Sequence, residues 1–183
     1  MTEYHKIHSI YMRDMTRKHK TMIEGAWTLP EFEYLAGNVW TFTEKIDGTN
    51  IRVIFKDRFI TFCGRTENSQ IPAQLVARLN ELFLPLAEKL GEMFHPLLDG
   101  EVVLYGEGYG ANIQKRGSNY RADQDFVLFD VRVGKWWLQR ADVHDVAQKL
   151  GLDVVPVIGE GTLHDAVALA KRGIRSMWGD FEA

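Results

Sequence analysis

The sequence predicts an α+β domain built on a mainly antiparallel sheet with flanking helices. Three observations carry this. Short β-rich runs are joined by tight turn signals at Lys56-Asp57 and Gly134-Lys135. One long apolar periodicity of helical spacing stands between them, from Leu75 to Leu90. Strands and helices do not alternate in the regular way that a doubly wound parallel sheet requires. At 183 residues and 45% hydrophobic content, the chain can bury one sizeable core and reads as one domain.

From Tyr4 to about Gly37, aromatic and charged residues mix without sustained periodicity, and Arg17-Lys18-His19-Lys20 is a short basic run, so this stretch reads as loop. Val39-Trp40-Thr41-Phe42 and Ile51-Arg52-Val53-Ile54-Phe55 are strand-like, and a third strand runs from Arg58 to Gly64 at hairpin spacing. Leu75, Leu79, Leu82, Phe83, Leu86 and Leu90 then lie on one helical face, with Pro72 before it and Gly91 as its expected stop. Leu97 to Tyr105 is expected as a strand. Asp125 to Val133 pairs with Trp136-Trp137-Leu138, and the two tryptophans are expected in the core. Asp142 to Leu150 forms a helix closed by Gly151, and Val154 to Ile158 forms a strand. Thr162 with Asp165 three residues on has the character of a capping box before Ala166 to Lys171.

A net charge of −3 gives no global basic field, so any nucleic-acid contact must come from local patches. The single cysteine, Cys63, has no internal disulfide partner and sits in a strand-like run, the setting of a structural thiol. No apolar run reaches the length of a membrane span, and the charged N-terminus lacks a signal-peptide core. The chain is expected in the cytoplasm, or in a host's cytoplasm if it is viral.

Glu44-Lys45-Ile46-Asp47-Gly48-Thr49-Asn50 is the most informative stretch. Lysine attacks phosphorus only as its neutral amine, which burial, a nearby cation or a metal favours. Asp47-Gly48 supplies a turn, and flanking strands would hold Lys45 on a rigid scaffold suited to in-line displacement. The same residues also fit a solvated hairpin tip.

The string K-x-D-G-x-N resembles motif I of the covalent nucleotidyltransferases, which include ATP-dependent DNA ligases, RNA ligases and mRNA capping enzymes. Gly64-Arg65-Thr66-Glu67-Asn68-Ser69-Gln70-Ile71-Pro72, then Tyr105-Gly106-Glu107-Gly108-Tyr109-Gly110 and Ile113-Gln114-Lys115, resemble the RNA ligase branch typified by the second RNA ligase of phage T4 and the kinetoplastid editing ligases. The resemblance runs from about Lys6 to the last residue. It implies an adenylyltransferase fold and an ATP-dependent RNA ligase that carries AMP covalently on Lys45, uses Mg2+, and joins RNA 5′-phosphate to 3′-hydroxyl ends.

The remaining roles follow from that resemblance. Glu44 would flank the adenine, Asn50 would help hold a phosphate, and Arg65, an ordinary surface arginine by itself, falls where such ligases carry an arginine of the nucleotide site. Glu101 and Glu107 compete for one ribose; in an extended strand they share a face about 20 Å apart, so both cannot serve it. Leu98-Asp99-Gly100-Glu101 resembles the DNA ligase motif, but Ile113-Gln114-Lys115 favours Glu107. Phe129, which alternates with Val127, Val131 and Val133 and reads by pattern as core, would stack on adenine. Lys115, Arg116 and Arg121, with Tyr120, are possible RNA or phosphate contacts on a loop after the glycine-rich run, or a solvated tip.

The resemblance also calls for two later motifs, E-G-x-V and K-x-K. Glu160-Gly161-Thr162-Leu163 imitates the first but reads as a helix start. The segment Trp178 to Ala183 is of the kind that precedes the fourth motif, so residues 1–183 read as an adenylyltransferase domain, C-terminally incomplete, without the motif IV and V part. Weak ATP binding and poor self-adenylylation are then expected of this piece, and activity of a longer version. A DNA ligase or guanylyltransferase of the same superfamily, or a non-catalytic nucleotide- or RNA-binding fragment, are the alternatives.

Overall fold

A computed structural model of the chain describes residues 3–16, 21–66, 68–94, 100–179 and 181. The basic run at 17–20, Glu67, and the Leu97-Leu98-Asp99 stretch lie outside them. A five-stranded antiparallel sheet forms the centre, in the order β5-β4-β6-β7-β8: β4 (Thr49–Lys56), β5 (Phe59–Cys63), β6 (Val102–Gly110), β7 (Gln124–Val133) and β8 (Trp136–Trp137). The expected α+β class is the observed one.

Two hairpins are made by local chemistry. Lys56 pairs with Phe59, leaving a two-residue loop in which Asp57 and Arg58 both take positive φ, 50° and 67°. That is the backbone of a turn whose twist matches the strands it joins. The second hairpin closes β7 onto β8 through Gly134 at φ 56°.

One face of the sheet is apolar and covered by helices. Ile51, Val53 and Phe55 of β4, Leu104 of β6 and Leu128 and Val131 of β7 are fully buried there, with Leu75, Leu79, Phe83 and Leu90 from the helices. The single long helix expected over Leu75 to Leu90 is two: α2 (Ala73–Phe83) and α3 (Ala87–Phe94), separated by a 3-10 turn at Leu84–Leu86. Pro85 lacks the amide that a continuous helix needs, so the turn tightens while the apolar face stays on the core. Gly91 does not stop α3, which runs through it. Further on, α4 (Arg140–Leu150) ends at Gly151 in the left-handed conformation, as expected.

The strand expected to end at Tyr105 instead runs on through the glycine-rich run. A side chain at Gly106 would sit 2.2 Å from Phe126 Cζ, and one at Gly108 would sit 2.4 Å from Leu75 Cδ2. These glycines are therefore places where the sheet meets its own aromatic and helical packing, not a loop.

Smaller elements complete the chain. The N-terminal stretch expected as loop contains β1 (Tyr11–Arg13) paired with β2 (Met22–Trp27), then a short α1 (Pro30–Tyr34). β3 (Trp40–Thr43) pairs antiparallel with β9 (Val157–Gly161), which lies later than the strand expected at Val154; Val154 makes only an isolated bridge to Leu128. Thr162 and Asp165 form the expected capping box at the start of α5 (Leu163–Arg172). The tryptophans expected in the core are not there: Trp136 is 70% exposed and Trp137 39%, because β8 is a two-residue edge strand that no helix covers. No helix among the described residues is long and apolar enough to cross a membrane.

Gly106→Ala should cost roughly 3 kcal/mol or prevent folding, since its nearest obstacles include the Val127 carbonyl at 2.4 Å. Gly37→Ala, with nothing within 4 Å, should change stability by less than about 0.5 kcal/mol. Urea unfolding of both variants checks the contrast.

Candidate functional site

The opposite face of the central sheet is polar and aromatic. Alternation that points Ile51 and Val53 into the helical core turns Asn50 and Arg52 to this side, and the same holds for Tyr105, Glu107 and Tyr109 on β6. Asn50 is the direct cross-strand partner of Glu107, and Glu107 in turn of Val127. These residues therefore form a row across the end of the sheet.

Lys45 stands above this row. It follows β3 and precedes β4, and those two strands belong to different sheets, so the turn is not a hairpin tip. The segment alternates in burial: Glu44 and Ile46 are buried, Lys45 and Asp47 exposed. Ile46 anchors it in a second apolar cluster with Tyr109, Val127 and Val155, bordered by Tyr120, Phe129 and Trp178.

Gly48 meets the sheet edge-on. A side chain there would lie 2.2 Å from the Gly108 carbonyl oxygen and 2.8 Å from Glu107 Cγ, so only glycine allows the approach. The turn's backbone groups are bound by side chains from β6 and the loop after it. The Gly48 amide faces the Glu107 carboxylate and favours its ionised form. The Gly48 carbonyl accepts from Gln114 Nε2 at 2.8 Å, and the Asp47 amide donates to the Tyr120 hydroxyl at 3.3 Å.

Burial pushes the Glu107 carboxyl up to about 7, against the opposing pull of the Lys45 charge and the Gly48 amide; Asp47 adds to the rise. Beside it, Asn50 Oδ1 is buried with no hydrogen-bond partner among the described residues. An acceptor left unsatisfied in a polar site, next to a carboxylate poised between its two forms, fits a ligand that brings its own donors.

Phe129 enters this face through an irregularity. Tyr105 pairs with Asp130 but Gly106 pairs with Leu128, so Phe129 is the extra residue of a β-bulge. The expected alternation with Val131 and Val133 fails for that reason: those two face the helical core, while Phe129 shares the side of Val127. Its half-buried ring meets Tyr4 edge-on, with centroids 5.0 Å apart. Tyr4 donates to Asp130 Oδ2 at 2.5 Å. Burial raises the Asp130 carboxyl, while this bond, His5 and Arg140 oppose the rise.

The other expected residues divide. Glu101 binds Arg132 at 2.5 Å and is a structural ion pair, which leaves Glu107 as the acid of the site. Glu44 sits beneath Lys45, its carboxylate accepting from Ser176 Oγ at 2.6 Å and from the Met177 amide at 2.8 Å. Arg65 is exposed just past β5, on the side of the sheet where Asn50 begins β4. Lys115 and Arg116 are exposed on the 111–123 loop. Arg121 is withdrawn from the possible phosphate contacts. Its guanidinium binds Asp123 through two nitrogens, at 2.5 and 3.0 Å, and also Asp125, so each of its three nitrogens already donates to a carboxylate.

Two participants, Arg52 and Tyr4, were not singled out by the sequence. Arg52 is fully buried on the site face and donates to the Gly64 carbonyl at 2.9 Å; its place between Ile51 and Val53 was the available signal. Tyr4 reaches Asp130 across 126 residues of chain, for which no local signal exists. Gln114 and Tyr120 were noticed, but not their grip on the turn. Among the described residues, no group of three His, Cys, Asp or Glu side chains converges to hold a metal ion.

A carbon-13 titration of the Glu107 carboxyl should have its midpoint near 7, protonated below and ionised above. Since the Lys45 charge lowers that value, Lys45→Met should move the midpoint upward; a downward move would contradict the placement.

A family model described as RNA ligase matches residues 38–178. The chain is similar to solved structures of Naegleria gruberi RNA ligase. A variant with ATP and manganese superposes with a TM-score of 0.63 and 23% identity over 84% of this chain and 46% of that one. A variant with AMP and manganese gives 0.62 and 21% over 84% and 46%, and a third, also with ATP and manganese, gives 0.64 and 22% over 85% and 47%. The chain thus spans about half the length of these proteins. Comparison with curated protein sequences gives no match.

Proposed function

The chain belongs to the RNA ligase family, and from that membership and the layout of its polar sheet face we propose that residues 1–183 serve as the adenylyltransferase part of an ATP-dependent RNA ligase. The observation that carries this is the Asn50–Glu107 cross-strand pair within the electrostatic reach of Lys45, with an unsatisfied buried acceptor beside a carboxylate of raised pKa.

The chemistry runs in three displacements. The neutral Lys45 amine attacks the α-phosphorus of ATP; a nitrogen–phosphorus bond forms, the bond to the bridging oxygen breaks, and pyrophosphate leaves. A 5′-phosphate oxygen of RNA then takes the adenylyl group from Lys45. Finally a 3′-hydroxyl attacks that activated phosphate, AMP departs, and the strand is sealed.

Each neighbour has a place in this scheme. Glu107, ionised, accepts from a ribose hydroxyl, and Asn50 supports a phosphate by donation from its Nδ2. Phe129 offers a flat apolar surface to the adenine. Arg65, Lys115 and Arg116 are the exposed cations available to nucleotide or RNA phosphates. Glu44 acts from below, fixing the strand end next to the nucleophile rather than reaching the base with its bound carboxylate.

Among the described residues no three His, Cys, Asp or Glu side chains converge on one point, and no step here is routed through a metal. Mg2+ belongs with the triphosphate; the related Naegleria structures hold manganese with their nucleotides. The setting proposed is the cytoplasm of a cell, or of a viral host.

Intact mass after incubation with ATP and magnesium tests the reading in the natural protein at full length. One AMP should add to the wild type and none to Lys45→Ala, while GTP in place of ATP should add nothing. A Lys45-independent adduct, or none at all, would overturn it. Phe129→Ala should raise the half-saturating ATP concentration about tenfold or more, the scale of one lost base–aromatic stack.

A further inference from the structure

Two residues that grip the Lys45 turn have no part in the three displacements above. Gln114 and Tyr120 lie on the loop between β6 and β7, and their side chains bind the Gly48 carbonyl and the Asp47 amide. With the Glu107 carboxylate facing the Gly48 amide, three backbone groups of the turn meet side chains from residues 107–120. The turn itself is not paired within a sheet, so these contacts set its position against β6.

The loop that supplies them is a braced frame. The Ala111 amide donates to the Asp123 carbonyl at 3.0 Å, and Gln124 Nε2 to the Ala111 carbonyl at 2.8 Å, closing the loop at its base. Ile113 packs on the main core. Gly117 lies so near Gly110 that a side chain would fall 1.9 Å from its carbonyl oxygen. The Tyr120 ring is held edge-on between Tyr109 and Phe181, with centroids 6.0 and 4.8 Å away. Arg121 ties the loop to Asp125, which also binds Arg78 of α2 at 3.1 Å. The carboxylate-bound arginine is thus part of this frame.

We infer that Gln114 and Tyr120 are positioning residues that hold the Asp47–Gly48 turn, and through it the Lys45 amine, in the orientation required for in-line attack. This rests on the reading of Lys45 as the nucleophile. In-line displacement is sensitive to small misplacements of the attacking atom, and a turn released at two of its three tethers has room to make them. Gln114 is exposed, and its bond to Gly48 contributes little to global stability, so its loss acts on the turn and not on the fold.

The test is single-turnover formation of the Lys45–AMP adduct at varied ATP, for wild type, Gln114→Ala, Gln114→Glu and Tyr120→Phe. Gln114→Glu keeps the shape and replaces the donor by an acceptor facing the Gly48 carbonyl. Tyr120→Phe keeps the ring and removes the acceptor of the Asp47 amide. Each variant should lose about tenfold in the rate at saturating ATP. The half-saturating ATP concentration should change less than about twofold, with the melting temperature near that of wild type. Amide exchange at Asp47 should quicken in Tyr120→Phe. Rates within about twofold of wild type would overturn the inference, as would a loss confined to half-saturation. Absence of adduct in the wild type would instead remove the Lys45 reading itself.

Discussion

The approach of Gly48 to the backbone of β6 is the contact on which the site depends. It brings a turn that belongs to neither sheet within reach of Glu107, and it leaves no room for a side chain at position 48. Burying a carboxylate beneath that turn has a cost, which appears as a Glu107 pKa raised by desolvation and partly offset by Lys45 and the Gly48 amide. The lysine and the glutamate are therefore held as an electrostatic pair by a backbone contact. Ile46, buried between them and the second apolar cluster, keeps the lysine facing outward.

The central sheet separates two tasks. Its helical face is packed with aliphatic and aromatic residues that fix the strands, and glycines at 106 and 108 let Phe126 and Leu75 come close. Its other face carries the candidate site. Because strand residues alternate between faces, Asn50 and Glu107 reach the site only through apolar neighbours anchored on the other side. The bulge at Phe129 is the single departure from that alternation, and it gives both Phe129 and Asp130 to the site face. Tyr4 then closes over Phe129 and Asp130 from the other end of the chain.

Features determined by a few adjacent residues were legible in the sequence. The β4–β5 and β7–β8 hairpins, the Gly151 cap of α4 and the Thr162–Asp165 box stand as expected. Asn50 and Glu107, both named by the motifs, are cross-strand partners on β4 and β6. What depended on distant packing was not legible. The glycine-rich run reads as loop until Phe126 and Leu75 are known to lie against it, and Trp136-Trp137 read as core until β8 is known to be an edge. Arg121 looked like a free cation on a loop, since nothing local reveals that Asp123 and Asp125 turn back onto its guanidinium.

The central claim is that one nucleotide lies along this sheet face with its α-phosphate presented to Lys45. A crystal structure of the protein with ATP tests it most directly. The adenine should lie against Phe129, the ribose at Glu107 and the α-phosphorus facing Lys45 Nζ, with the Asp47–Gly48 turn still bound by Gln114 and Tyr120. A nucleotide seated elsewhere, or one lying on this face with its α-phosphate turned away from Lys45, would contradict it.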